Sequence, residues 1–198
     1  MWFQGLIVIK MAGDVRFGST EVTTMAAAIV PFVSVEEYLA SDPEPDVDYV
    51  DGVLEERNLG EADHADLQGE LTTIFRNRRG EWGIKTFPEL RVQVAPTRYR
   101  IPDVCVMPKS WERTQIVREA PLLCLEVKSP SYTLKREMTR AQDYLRMGVA
   151  EVWIFDPESR KAYVLRGDEV REQRDGVLKL AGTAIELDVA TLFGVLDE

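Results

Sequence analysis

The segment Glu151–Asp156, near the C-terminal end of the chain, limits the fold more than any other feature. Its four central residues, Val-Trp-Ile-Phe, are apolar without alternation, so both faces of a β-strand formed there would be buried. Such a strand needs a layer of structure on each side. A helix is predicted directly before it, over residues 131–147, because the helical pattern starts after a Ser-Pro pair and ends at Gly148. These features predict an α/β fold.

The remaining segments predict further helices and short strands. Ser34 and Glu37 fit a capping box that begins a short helix ending near Ala40. Apolar spacing predicts a longer helix over residues 63–79 and a short one over residues 189–193. Strands are predicted at 49–56 (two strands around an Asp-Gly turn), 85–95, 101–107 and 121–128, with 161–165, 169–174 and 177–180 as a C-terminal β-meander.

At 198 residues, the chain has the length of one domain. Residues 1–30 show neither periodicity nor turn signals, so we expect a loosely ordered N-terminal leader followed by one domain over residues 31–198. Met11 and Met25 are alternative starting residues within that leader. No apolar run approaches the roughly 20 residues of a membrane span. The two cysteines do not make a disulfide framework, which favours the cytoplasm.

Charge is distributed unevenly along the chain, whose net charge is −10. Residues 31–70 carry 13 acidic residues and one basic residue, whereas residues 71–146 carry 15 basic and 8 acidic residues. The overall acidity argues against a general nucleic-acid coat protein, but the basic central part can face a polyanion. Solvent-exposed charged faces explain the same pattern.

Two acidic residues lie inside apolar strand segments, where an unpaired carboxylate is costly. Asp103 follows a proline in the segment Ile101–Met107, and Glu126 lies near the end of Pro121–Lys128. Because strand side chains alternate between faces, Lys128 points to the same side as Glu126. If the two strands are antiparallel neighbours, two carboxylates and an ammonium converge at a strand end.

Such a group suits a divalent cation that prefers oxygen ligands, namely Mg²⁺, with Mn²⁺ as a substitute. We expect Asp103 and Glu126 to bind the metal, which would polarise a phosphodiester, while Lys128 orients the attacking water. The alternative is an ordinary ion pair at a strand end, because Glu-x-Lys is a common spacing.

The two cysteines provide a test of the strand register. In an antiparallel ladder, a register that places Asp103 opposite Glu126 also places Cys105 opposite Cys124. We therefore predict that the two thiols are buried neighbours on adjacent strands and are reduced.

These residues resemble the signature of the PD-(D/E)XK nuclease superfamily, in which Pro-Asp is followed by Glu-x-Lys on the next strand, then a helix and a hydrophobic strand. A finer resemblance, over about residues 34–192, is to the bacterial branch of restriction endonucleases called Uma-two. The segments that carry it are Tyr49–Glu56, His64, Glu89–Val92, Glu126–Ser131, Tyr144 and Gly148–Pro157.

The resemblance implies a restriction endonuclease-like core, with a mixed central sheet flanked by helices, and metal-dependent phosphodiester hydrolysis. It also implies that Glu56, after the Asp-Gly turn, completes the metal site with Asp103 and Glu126. Many members carry an aspartate and the lysine on the following helix instead. Here those helix positions are Arg136 and Arg140, which indicates either phosphate contacts or an inactive helix face.

The expected substrate is DNA, although RNA is not distinguished by the sequence. Candidate nucleic-acid contacts are His64, Arg76, Arg79, Arg136 and Arg140. A solvated helix end explains the first arginines equally well, and His64 also fits a polar position in the first turn of a helix. A homodimer would supply two sites for cutting two strands. The alternative function is a catalytically inactive nuclease fold that acts as a binding or regulatory module.

Overall fold

The computed structural model describes residues 31–41, 43–57 and 61–197. The predicted leader, residues 1–30, lies outside the described residues, and Val33–Glu198 forms one compact unit. The described helices are α1 (Val35–Ala40), α2 (Ala62–Asn77), α3 (Arg79–Trp82), α4 (Leu134–Met147) and α5 (Val189–Gly194), and a 3₁₀ turn covers Val195–Asp197.

Three sheets are described, and the largest contains six strands. The strands are β1 (Val47–Val50), β2 (Val53–Glu56), β3 (Ile84–Pro88), β4 (Val92–Ala95), β5 (Arg98–Arg100), β6 (Val104–Pro108), β7 (Leu123–Val127), β8 (Glu151–Asp156), β9 (Lys161–Arg166), β10 (Glu169–Gln173), β11 (Val177–Lys179) and β12 (Glu186–Asp188). The central sheet has the order β10-β9-β8-β7-β6-β3. Its β7 and β8 are parallel and its other neighbours antiparallel. The predicted α/β fold with a mixed central sheet is therefore confirmed.

Helix α4 makes the crossover between the parallel strands β7 and β8, as a parallel pair requires. Thr133 begins this helix by accepting a hydrogen bond from the backbone nitrogen of Arg136, and Gly148 ends it in a left-handed conformation. At the other end of the domain, Ser34 and Glu37 form both hydrogen bonds of the predicted capping box. Local signals thus set the ends of these two helices.

The smaller sheets correct two strand predictions. The predicted strand 85–95 is divided into β3 and β4 because Glu89 has a positive φ of 49° and turns the chain. The segment 97–100, predicted as a connection, contains β5, which pairs with β1 and β4 in a sheet of order β2-β1-β5-β4.

The third strand of the predicted meander also pairs elsewhere. Strands β9 and β10 are antiparallel neighbours, as expected, but β11 pairs with β12. Leu178 of β11 and Leu187 of β12 are buried in the main core, whereas most of β10 is exposed. Pairing of β11 with β12 buries these two leucines, whereas pairing of β11 with the exposed edge strand β10 would leave them exposed, which explains the separate hairpin.

Apolar clusters cover both faces of the central sheet. On one face, Trp153 and Phe155 pack in the same cluster as residues of α2 and α5; on the other, Val152 and Ile154 pack with residues of α4. Every residue of β8 is buried, as its uninterrupted apolar pattern predicted. This arrangement fixes the ends of β6 and β7 between two helical layers.

The cysteine prediction is confirmed. Cys105 of β6 lies opposite Cys124 of β7, and both thiols are free and buried. The register therefore aligns Asp103, directly before β6, with Glu126 of β7. Within the described part of the chain, none of the helices has the length and apolarity that a bilayer crossing requires.

Gly148 gives a test of how helix α4 ends. Its φ is 112°, which an L side chain rarely adopts, and an added Cβ would meet only the Cβ of Ala120 at 3.5 Å. We expect Gly148→Ala to lower the free energy of unfolding by about 1–2 kcal/mol because of backbone strain.

Gly69→Ala is the matched control, because Gly69 lies inside α2 with open space around its Cα. This change should raise stability by up to about 1 kcal/mol through helix propensity. Urea unfolding measures the free energy of unfolding of both variants. If Gly148→Ala and Gly69→Ala change this free energy by the same amount in the same direction, the proposed strain at Gly148 is wrong.

Candidate active site

Two buried carboxylates lie at the same end of strands β6 and β7. Asp103 is 3% exposed and Glu126 is 1% exposed. The backbone nitrogen of Val127 donates a hydrogen bond of 2.7 Å to Asp103 Oδ2, which ties the aspartate to the strand that carries the glutamate. The structure therefore brings the two predicted metal-binding acids together.

Two basic side chains, Arg57 and His64, hold Asp103. Arg57 Nη2 lies 3.0 Å from its Oδ1, and His64 Nε2 lies 3.3 Å from its Oδ2. Burial alone would raise the pKa of Asp103, but the hydrogen bond and charge of His64, with Arg57 and the Val127 amide, hold it below its usual value. Asp103 is thus ionised, and its charge raises the pKa of His64 against the opposing effect of burial.

Glu126 has a different environment. Tyr144 donates a hydrogen bond of 2.9 Å to its Oε1, and Arg140 Nη2 lies 3.4 Å from the same oxygen. Burial raises its pKa to about 8; Arg140 opposes this effect, while the charges of Asp103 and Glu137 add to it. Without a bound cation, this carboxyl is largely protonated at neutral pH.

Arg140 connects this pair to a third acid, Asp48 of β1. Its Nε lies 3.4 Å from Asp48 Oδ2, and its Nη2 donates to the carbonyl oxygen of Ile101 at 3.1 Å. Asp48 also accepts a hydrogen bond from the backbone nitrogen of Ile101 and pairs with Arg100. Arg140 is 6% exposed, so this predicted phosphate contact lies inside the acid cluster.

Sequence reasoning missed two members of the cluster. Asp48 lies within the apolar stretch Val47–Val50, the same signal that identified Asp103. Glu137 precedes Arg140 by three residues, which places both on one side of α4, and it is 2% exposed. Burial raises the pKa of Glu137; Arg140 lowers it, and the charges of Asp103 and Asp48 raise it further.

The structure does not bring Lys128 into this group. Its ammonium lies 3.3 Å from Asp156 Oδ1 and 3.5 Å from Glu158 Oε2, at the ends of β7 and β8. The predicted role of Lys128 in orienting water stays a prediction, and it requires the ammonium to leave this pair of carboxylates.

Two neighbouring cavities separate the remaining candidates. An inner pocket of about 90 Å³ is lined by residues that include Arg57, His64, Asp103, Glu137 and Arg140. An outer groove of about 620 Å³ is lined by Leu54, Glu55, Glu56, Arg100, Tyr132, Arg136, Thr139 and Arg140. Glu56 therefore lies on the groove and Asp103 on the pocket. Arg76 and Arg79 are exposed near the end of α2 and line neither cavity.

The side chains around Asp103 and Glu126 decide whether a divalent cation fits this site. No group of three His, Cys, Asp or Glu residues in the described chain has a metal-holding arrangement. However, Mg²⁺ binds through one or two carboxylates and keeps several waters. Both contacts that described side chains make to Glu126 fall on Oε1, whereas both oxygens of Asp103 have partners, Arg57 at Oδ1 and His64 with the Val127 amide at Oδ2. Carboxylate oxygens are hard donors, which would suit Mg²⁺ or Mn²⁺ better than a softer metal.

The protonated state of Glu126 predicts a pH dependence of stability. Because its pKa is raised to about 8 in the folded protein from 4.5, the fold binds an extra proton between these values, and stability falls as pH rises through this range. The slope is at most about 1.4 kcal/mol per pH unit. Glu126→Gln removes this contribution, so its stability relative to the parent should increase from about pH 5 to pH 8.

Urea unfolding in EDTA measures the effect, and Glu119→Gln, which changes an exposed glutamate, is the control. The control should follow the pH profile of the parent. A Glu126→Gln profile that also runs parallel to the parent would mean that Glu126 is ionised in the fold.

The chain was compared with known families and structures. The family described as Uma2, "Putative restriction endonuclease", matches residues 35–191. A solved structure of a putative nuclease belonging to DUF820, from Anabaena variabilis, matches with a TM-score of 0.74 and 21% identity. It covers 83% of this chain and 99% of its own. At that identity, the likeness shows a shared nuclease fold.

The DrdV–DNA complex matches with a TM-score of 0.38 and 14% identity, over 66% of this chain and 11% of that one, which is too weak a likeness to indicate a shared fold. No curated protein matches the chain. The family match spans α1 to α5 and includes the acid pair of β6 and β7, the helix α4 and the buried strand β8. The chain therefore belongs to the Uma2 family of putative restriction endonucleases.

Proposed function

We propose that the protein is a metal-dependent endonuclease that hydrolyses phosphodiester bonds of DNA. The observation that carries the proposal is the inner pocket, where the carboxylate of Asp103 lies among the basic side chains of Arg57, His64 and Arg140. Carboxylates that bind a metal and cations that stabilise charge on a phosphate both promote phosphodiester hydrolysis. The family description supports the same reaction.

Asp103 and Glu126 would hold the cation, with Mg²⁺ as the expected ion and Mn²⁺ as its substitute. The bound ion would supply positive charge at the scissile phosphate and lower the pKa of a bound water. Arg57 and His64 keep Asp103 ionised and oriented, which prepares it as a ligand. Tyr144 and Arg140 fix Glu126 through Oε1.

Arg140 would contact the phosphate from the helix side, because it lines both cavities. Glu56 lines the groove and not the pocket, so its proposed part in metal binding requires its exposed side chain to turn toward Asp103. DNA as substrate is supported by the basic residues 71–146. A homodimer would provide two sites for cutting both strands of a duplex, and the two reduced cysteines favour a cytoplasmic location.

A second function is favoured by the cations that hold the acids. Arg57 holds Asp103, Arg140 holds Glu126, and Lys128 pairs with Asp156. If these pairs persist in the presence of metal, the protein is a binding or regulatory module with a nuclease fold. Plasmid nicking in the presence of a divalent metal ion separates the two functions.

The proposal predicts plasmid nicking that requires Mg²⁺ or Mn²⁺ and stops in EDTA. Asp103→Ala and Asp103→Asn should each lose activity on the order of 10²-fold or more, because they remove a carboxylate ligand. Lys128→Ala should lose a comparable factor if Lys128 orients the water. The measurement is the initial rate of conversion of supercoiled to open-circular DNA.

Glu119→Gln, an exposed change outside both cavities, should keep the parental rate. Thermal unfolding confirms that each variant is folded, and Asp103→Asn preserves the shape of the side chain. Equal nicking by the parent and both Asp103 variants would identify a contaminating nuclease. No nicking by the parent, together with no Mn²⁺ binding by calorimetry, would support the inactive module.

A further inference from the structure

We infer that the outer groove binds one unpaired nucleotide of a single DNA strand, with its base stacked on the guanidinium of Arg136. This inference rests on the proposed function, because it names the form of DNA that reaches the same site. It predicts a preference for single-stranded DNA, and for locally unpaired segments of a supercoiled plasmid, over an intact duplex.

The stacking surface is built from Tyr132 and Arg136. The Arg136 guanidinium carbon lies 3.7 Å from the centroid of the Tyr132 ring. The Tyr132 hydroxyl and Arg136 Nη2 both donate hydrogen bonds to the carbonyl oxygen of Glu56, at 2.7 and 3.2 Å. One hydrogen bond from each side chain to the same carbonyl oxygen of β2 holds the arginine over the ring. Because Arg136 is already ordered, little side-chain entropy is lost when a ligand binds.

The two side chains differ in exposure. Tyr132 is 8% exposed, whereas Arg136 is exposed and lines the groove. The tyrosine ring is thus covered, and the planar guanidinium is the surface that a ligand meets. Guanidinium planes and aromatic rings are the groups on which unpaired bases stack in proteins that bind single strands.

The charge of Arg136 is also available. Arg100 and Arg140 line the same groove, but both pair with buried or half-buried carboxylates. Among the described residues, no carboxylate lies within ion-pair distance of Arg136. Its contact to a carbonyl oxygen leaves its positive charge for a phosphate or for the π-face of a base.

The size and walls of the groove favour one strand. A volume of about 620 Å³ is typical of a small-molecule site and suits a nucleotide, whereas a duplex segment is far larger. One wall, from α4, carries Arg136 and Arg140, and the facing wall, from β2, carries the exposed carboxylate of Glu56. A second sugar-phosphate chain along β2 would meet like charge.

The groove continues into the inner pocket. Tyr132 and Arg140 line both cavities. A base stacked on Arg136 would therefore place its own sugar-phosphate beside Arg140, on the side that faces Asp103. The stacking surface would select an unpaired nucleotide and align the adjoining phosphodiester with the acid pair.

The test measures binding in EDTA, so that it does not depend on cleavage. Fluorescence anisotropy at one fixed salt concentration compares a labelled oligothymidine strand, the same strand with abasic sites, and its duplex. The intact single strand should bind most tightly, and the abasic strand should bind about tenfold more weakly, because it lacks the base that stacks on Arg136.

Arg136→Ala should weaken binding of the intact strand by about 5- to 150-fold. Arg136→Lys keeps the charge but removes the planar group, so it should show most of this loss. Lys135→Ala removes an equal charge from the adjacent exposed position, outside both cavities, and should change binding less than about threefold.

The inference is overturned if the duplex binds as tightly as the single strand, if the abasic strand binds equally well, or if Arg136→Ala behaves like Lys135→Ala. Its failure is distinguishable from failure of the proposed function. Plasmid nicking with no single-strand preference would remove this inference alone, whereas Arg136-dependent single-strand binding without nicking would leave the groove assigned and remove the catalytic proposal.

Discussion

The burial of Asp103 beside Glu126 is the constraint on which the rest of the site depends. An isolated buried carboxylate is costly, and two of them at the ends of adjacent strands also repel each other. The protein meets this cost differently at each acid: Asp103 is kept ionised by Arg57, His64 and a backbone amide, whereas Glu126 is largely protonated when no cation is bound. The basic side chains around Asp103 are therefore part of what allows its charge to be buried.

The same arrangement is compatible with both proposed functions, a metal-dependent endonuclease and an inactive binding module. Basic side chains that stabilise the buried acids can contact a phosphate if a metal ion neutralises the acids in their place. If no metal ion displaces them, they block metal binding. Arg140 is central to this balance because it contacts Glu126 and Asp48 and also lines both cavities. A lysine would offer the acids a single charged point, whereas the guanidinium holds several partners together.

Different elements of the fold supply the core, the acids and the basic side chains of the site. Apolar residues of β8 fix the centre of the sheet between the helices, and the Cys105–Cys124 register aligns the acids at one end. Helix α4, which connects the parallel strands, carries Arg136, Glu137 and Arg140 along that end. The β1–β2 hairpin closes the other side and contributes Asp48 to the acid cluster and Glu56 to the outer groove. Residues distant in sequence thus act at one place.

The sequence by itself determined the elements whose signals are local, namely the capping box, the Asp-Gly turn, helices α2 and α4, and the fully buried strand β8. It also linked the cysteines to the acids, because one antiparallel register of β6 and β7 pairs both sets, and the structure shows that register. Only the tertiary structure decided the partners of the long side chains. Lys128 and Glu126 share a strand face by alternation, yet the lysine extends to Asp156 on β8. Asp48 and Arg57 reach the site from the β1–β2 hairpin and Glu137 reaches it from α4, and no spacing rule predicts that the hairpin and the helix meet there. Periodicity fixes the direction in which a side chain leaves the backbone, whereas the partner of a flexible charged group depends on every element packed around it.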